Sequence, residues 1–165
     1  KLRRERNNEE VEKALQAIVD RSRDNARTPM QWNNSFNGGF SKAEPWIKTN
    51  YNYETINVEK QEIDENSILN TYRFILKHRV TDAKNIVFGK IEFINIDDNE
   101  SYCYINKGKD KDYLMIANFR DYEIEISLKD VSLTGFEYFY GDRVELKETM
   151  KLKPYEAILY RRNKA

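Results

Sequence analysis

The spacing of apolar residues changes once along this chain, near Thr81–Asn85, and that change limits what each half can become. Before it, Val11, Leu15, Ile18 and Val19 fall on one face of a helix over Asn8–Arg21, the repeat of an amphipathic segment. Asn8, Glu10 and Glu12 suit the first turn of that helix. Helical spacing returns over Ser67–Val80 through Ile68, Leu69, Tyr72, Phe74, Ile75, Leu76 and His78, with Asp64 or Asn66 as its cap. The apolar face there is broad, which predicts a well-buried helix. Between the two helices, Ser22–Gln61 keeps no period and is broken by Pro29, Asn33, Asn34, Asn37, Gly38, Gly39, Pro45 and Asn50. A loop this long is unusual inside a compact domain, so it is expected to be functional or to drape over a neighbour.

After Asn85 the pattern turns to period two and to short aromatic-rich runs. The expected strands are Ile86–Phe88, Ile91–Ile94, Tyr102–Ile105, Tyr113–Phe119, Tyr122–Leu128, Phe136–Tyr140, Val144–Leu146 and Tyr155–Tyr160. The clearest is Tyr122–Leu128, with Tyr122, Ile124, Ile126 and Leu128 on one face and Glu123, Glu125 and Ser127 on the other. Asp97-Asp98-Asn99, Lys107–Asp110 and Gly141-Asp142 are the turns between them. Many short strands at this spacing predict an antiparallel β-sandwich. The fold class expected is α+β, with helix, long loop and helix over residues 1–82 and a C-terminal sandwich over 83–165.

Composition excludes several functions. Lys plus Arg and Asp plus Glu are 28 each, so the net charge is zero, against a nucleic-acid partner. The basic Lys1–Arg6 run is followed at once by Glu9, Glu10 and Glu12 and reads as a solvated helix start. No apolar run approaches the roughly 18 residues of a membrane span, and no secretory pattern is visible. The single cysteine, Cys103, allows no intrachain disulfide and fits a reducing, cytoplasmic compartment. One His and one Cys do not make a zinc site, and no cofactor motif is present. A carboxylate-lined calcium site stays open. Gly38-Gly39 lacks the strand–turn–helix context of a phosphate loop.

The richest stretch is Ser22–Trp32, SRDNARTPMQW, which packs two arginines, an aspartate, a proline and a tryptophan into a polar loop. With Asn37–Phe40, Glu44–Ile47, Asn57–Glu59 and Lys153–Ala157, in this order and spacing, it resembles the α-glucosidases of the α-amylase superfamily: oligo-1,6-glucosidases, trehalose-6-phosphate hydrolases and sucrose isomerases. Asn33 stands where an Asp usually follows the Trp, and Gly38 where Ala is common.

The resemblance implies that residues 1–82 are the tail of a (β/α)₈ (TIM) catalytic barrel, with Asn66–Val80 its last helix, ahead of the sandwich. It implies a cytoplasmic retaining α-glucosidase acting on an α-linked glucose oligosaccharide, with isomaltose, trehalose 6-phosphate and sucrose all open as substrates. Such chemistry needs two carboxylates about 5 to 5.5 Å apart. The resemblance places the family's three catalytic carboxylates upstream of Ser22–Trp32, so no catalytic residue is assigned here. The chain does not begin with Met, and it is expected to be a segment of a longer enzyme, silent by itself.

Arg27 is the one site residue assigned. By resemblance it reaches the glucose at the bond being cut and pairs with an Asp on another barrel loop. Its planar fork can serve a carboxylate and a hydroxyl together. The alternative is a structural ion pair with Asp24 or a loop staple. Arg23 and Asp24 read as loop architecture, with Asp24 accepting backbone N–H bonds. Trp32, Trp46, Tyr51 and Tyr53 read as packing residues, with sugar stacking as the alternative. His78 reads as a packing or capping residue, and Glu123 and Glu125 as solvent-facing. A rival function is a non-catalytic carbohydrate-binding or interaction module. Leu15, Ile18, Phe40 and Trp46 are expected to be exposed, to fold back on the sandwich or to meet a second copy, so the chain is a candidate for self-association.

Overall fold

The period change is visible in the computed structural model, which describes residues 8–95, 97–142 and 145–164 and omits the side chains of residues 8, 9 and 25. The chain divides into two units, Lys1–Phe74 and Ile75–Ala165, with the division inside one helix. The first unit carries α1 (Asn8–Arg21), three 3₁₀ turns (Arg23–Ala26, Phe36–Gly39 and Tyr51–Glu54) and α2 (Val58–Ile63), and α3 (Ile68–Thr81) leads out of it. The second carries α4 (Ala83–Ile86) and strands β1 (Lys90–Ile94), β2 (Ser101–Lys107), β3 (Lys111–Asn118), β4 (Ile124–Ser127), β5 (Glu137–Gly141), β6 (Thr149–Leu152) and β7 (Ala157–Asn163).

Among the described residues the strands form a five-stranded sheet, β1-β2-β3-β7-β5, and a two-stranded one, β4-β6. Every pairing is antiparallel. Register follows the inward residues: Cys103 lies opposite Ile116, Ile105 opposite Leu114, and Ile116 opposite Ile158. These residues share one buried cluster with Ile124, Ile126 and Leu128 after β3 and with Met150 and Leu152 of β6, so both sheets contribute to a single core. The alternation predicted over Tyr122–Leu128 holds at Ile124, Ile126 and Leu128, while Tyr122 is exposed.

Several local expectations change, among them the unbroken loop over Ser22–Gln61, since α2 begins at Val58 behind its Asn57 cap. Ile86–Phe88 is no strand: Asp82, Ala83 and their neighbours close the turn α4, where Asn85 N–H and Ile86 N–H both donate to the Asp82 carbonyl. At Val144–Leu146, Val144 lies outside the described residues and Leu146 is not in a strand. β6 was not predicted, because Thr149–Leu152 shows only two inward residues, Met150 and Leu152. The helix over Ser67–Val80 forms but is not buried. Ile68, Tyr72 and Val80 are all largely exposed, since the described residues supply no surface for so broad an apolar face. Its cap is Ser67, whose Oγ accepts from Asn70 N–H at 3.2 Å, and neither Asp64 nor Asn66.

Candidate functional site

The loop after α1 is held almost wholly by polar groups. Ser22 Oγ accepts from Asp24 N–H at 3.3 Å, and Arg27 N–H donates to the Asp24 carbonyl at 3.0 Å. The side-chain acceptor in this turn is therefore Ser22, and Asp24 contributes its backbone. Arg27 is exposed, and among the described residues no ion pair joins it to Asp24. Its fork is open to a ligand carboxylate or hydroxyl.

From Pro29, which is buried, the chain enters a closely hydrogen-bonded junction. The Gln31 carbonyl accepts from Val58 N–H at 2.9 Å and the Trp32 carbonyl from Glu59 N–H at 3.0 Å. The N–H groups of Trp32 and Asn33 both donate to the Gly38 carbonyl, at 2.7 and 3.1 Å. Gln31 Nε2 adds bonds to Asn52 Oδ1 at 3.0 Å and to the Ile56 carbonyl at 2.5 Å. Gly38 is left-handed (φ 65°), and a Cβ there would stand 3.3 Å from the Gln31 Cα, so glycine suits the crossing. Three motif blocks, Ser22–Trp32, Asn37–Phe40 and Asn57–Glu59, thus meet on one backbone junction.

Two residues of that junction escaped sequence reasoning as site-builders. Asn57 is 2% exposed, accepts from Lys60 N–H at 3.0 Å to cap α2, and donates to the Tyr53 carbonyl at 2.8 Å. Gln31 is the other. An Asn directly ahead of Val-Glu-Lys-Gln is a helix-start signal that would have found the first; nothing in the sequence marks the second.

Other candidates lie apart from this junction. Trp46 and Tyr51 are 88% and 91% exposed and Trp32 is half-exposed, while Tyr53 is half-buried. Glu123 and Glu125 face solvent, Glu123 within 3.4 Å of Lys151. The Lys153–Ala157 block is a turn lock in the sheet unit: Tyr155 is left-handed (φ 57°), Glu156 Oε2 accepts from Lys153 N–H at 2.7 Å, and Asn118 N–H donates to the Glu156 carbonyl at 2.9 Å. Cys103 is buried, which pushes its thiol above the ordinary value. Among the described residues no three His, Cys, Asp or Glu side chains group as a metal site, and no helix is long and apolar enough to cross a membrane.

The second polar cluster surrounds His78. Its Nε2 lies 2.8 Å from the Tyr113 hydroxyl, which donates to Asp82 Oδ2 at 2.6 Å. Burial works against ionisation of Asp82, but hydrogen bonds from Tyr113, Asn85 and Lys111 outweigh it and hold the carboxyl below its ordinary value. The cluster packs α3 and α4 against β3.

Proteins similar to this chain fall in one family. The family described as alpha amylase, catalytic domain, matches residues 1–88. An alpha-glucosidase of Candida albicans is 35% identical over 151 residues, 90% of this chain and 26% of that protein. An oligo-1,6-glucosidase of Bacillus cereus is 33% identical over 157 residues, 93% of this chain and 28% of that protein. The crystal structure of trehalose-6-phosphate hydrolase from Bacillus licheniformis superposes with a TM-score of 0.78 at 36% identity, covering 87% of this chain and 27% of that one. The chain therefore spans little more than a quarter of the length of these relatives. With more than half its residues matched to the catalytic-domain family and its motif blocks gathered at one junction, the chain belongs to the alpha-amylase family.

Proposed function

We propose that this chain is part of a cytoplasmic retaining α-glucosidase that cleaves terminal α-glucosidic bonds in short gluco-oligosaccharides of the isomaltose type. Residues 1–82 contribute the last helices and loops of its (β/α)₈ barrel, and residues 83–165 an antiparallel β-sandwich that covers the barrel's flank. The observation that carries the reading is the junction of the three motif blocks at Gln31–Trp32, with Arg27 exposed beside it. The names of the similar proteins, an alpha-glucosidase and an oligo-1,6-glucosidase, support it.

In this reading Arg27 holds the hydroxyls of the glucose at the bond being cut, and carboxylates elsewhere in the enzyme carry out the covalent steps. The 165-residue chain alone turns nothing over. The test is hydrolysis of isomaltose, trehalose 6-phosphate and sucrose by the product of the intact reading frame, with this chain assayed alongside. Turnover by the first and none by the second is expected. Arg27→Lys in the intact enzyme, which removes the planar fork, should lower kcat/KM by about 10²-fold. An unchanged kcat/KM removes Arg27 from the site.

The exposure of Trp46 and Tyr51 favours a second reading, a carbohydrate-binding module that stacks sugars on these rings. Saturable chemical-shift changes around Trp46 and Tyr51 on titration with isomaltose, together with no hydrolysis by either protein, would select it.

A further inference from the structure

Arg27 is offered by a loop that has no apolar core to hold it. Among the described residues of the first unit, only Pro29, Gly38, Asn57 and Ser67 are buried, and every member of the hydrophobic cluster lies in the second unit. A guanidinium on a flexible stem meets a ligand at a set place only where its backbone is set. On its N-terminal side Arg27 is closed by its own N–H, which donates to the Asp24 carbonyl at 3.0 Å. On its C-terminal side come Thr28, then Pro29 with its locked φ, then Met30 and Gln31.

Gln31 ties that side down. Its Nε2 donates to Asn52 Oδ1 at 3.0 Å and to the Ile56 carbonyl at 2.5 Å, and its own carbonyl accepts from Val58 N–H at 2.9 Å. A backbone carbonyl only accepts, so the contact with Ile56 fixes the Gln31 amide with its nitrogen toward that segment. Both side-chain acceptors belong to one closed turn, in which Thr55 N–H and Ile56 N–H donate to the Asn52 carbonyl at 3.0 and 2.8 Å. Asn57 joins this turn to α2, through the Tyr53 carbonyl on one side and Lys60 N–H on the other. Val58 N–H stands in the first turn of α2, where N–H groups have no partner inside the helix, and the Gln31 carbonyl supplies one. One residue thus fastens the Arg27 segment to a turn and to a helix start.

We propose that Gln31 is a positioning residue for Arg27: its amide fastens residues 27–32 to the turn over 52–56 and so sets where the guanidinium stands against the glucose. The inference rests on the reading of Arg27 as the residue that holds that glucose. Ile56 is exposed and Asn52 half-buried, so water can satisfy both acceptors once the amide is gone. The loop then stays folded but gains freedom, and the loss falls on catalysis more than on stability.

The test is a double-mutant cycle in the intact enzyme, with kcat and KM measured on whichever of isomaltose, trehalose 6-phosphate and sucrose it turns over. Gln31→Met keeps the length of the side chain and removes the amide. It should lower kcat/KM by about 10-fold, carried by kcat, with little change in Tm. In the Arg27→Lys background the same change should cost less than about twofold, because placement no longer matters once the fork is lost. A merely structural Gln31 would add its full cost in both backgrounds. Asn52→Ala, which removes one acceptor of the same amide, should repeat the pattern with a smaller loss, and it decides if Gln31→Met does not fold. With Arg27→Lys impaired, no loss for Gln31→Met, or equal losses in both backgrounds, overturns the role of Gln31 and leaves that of Arg27 standing. An unchanged kcat/KM for Arg27→Lys, or no turnover of any of the sugars, overturns the underlying reading and this inference with it.

Discussion

The two units of this molecule reach order by opposite means. Each of the buried hydrophobic residues that form the core, from Cys103 to Tyr160, belongs to the second unit. The first unit buries Asn57, Ser67, Gly38 and Pro29, and exposes Leu15, Ile18, Phe40, Trp46 and Ile63. Its shape is set by amide side chains and backbone: Gln31, Asn37, Asn57, Gln61 and Asn70 each bond to loop or helix backbone. Hydrogen bonds of this kind give geometry with little net stability, whereas apolar burial gives stability directly. The difference separates a segment shaped for presenting side chains from a domain that sustains itself.

The comparison can be broken first by separation. Residues 75–165 alone should unfold in one cooperative transition, and residues 1–74 alone should show none; calorimetry on each piece decides. A cooperative transition in the first piece would give it a stability source that its side chains do not supply.

Next in size is the core. Leu114 is 0% exposed, and Leu114→Ala should cost about 3 kcal/mol in denaturant unfolding, by lost transfer and the cavity left behind. A similar or slightly smaller loss, about 3 kcal/mol, is expected for Asp112→Asn. Asp112 is 2% exposed and meets Arg162 Nε and Nη2 at 3.0 and 2.9 Å and Lys164 Nζ at 3.0 Å, so the substitution removes the buried negative charge that faces both cations. The smallest effect sharpens the contrast most. Asn57→Ala should cost about 1 kcal/mol locally, read as faster amide exchange at Val58 and Glu59, and should leave the Tm of the second unit unchanged. A shift in that Tm would mean that the two units are energetically coupled.

Much of this was legible in the residues, and for identifiable reasons. The helix over Asn8–Arg21 and the strand Ile124–Ser127 announced themselves by strict periods. β6 did not, because two inward residues are too few to establish a period, and α4 was masked by its apolar Ile86-Val87-Phe88 tail. At the site, the motif blocks were readable singly. Their meeting at Gln31–Trp32 was not, since it depends on backbone N–H and carbonyl groups that every residue carries. The burial predicted for the Ser67–Val80 helix failed for a related reason: apolar breadth records what a surface is made to meet, and the described residues do not contain that surface.

The lone thiol of Cys103 stands at 2% exposure in the middle of β2, facing the shared core. A thiol reagent in solution can reach it only when the sheet opens, and the raised thiol value slows the reaction further. The rate of labelling under native conditions is therefore a clock for core opening, present in the natural chain with no label to install. Comparing that rate in the native chain, Leu114→Ala and Asn57→Ala would report, from one sulfur atom, whether a change in the polar unit is felt in the apolar one.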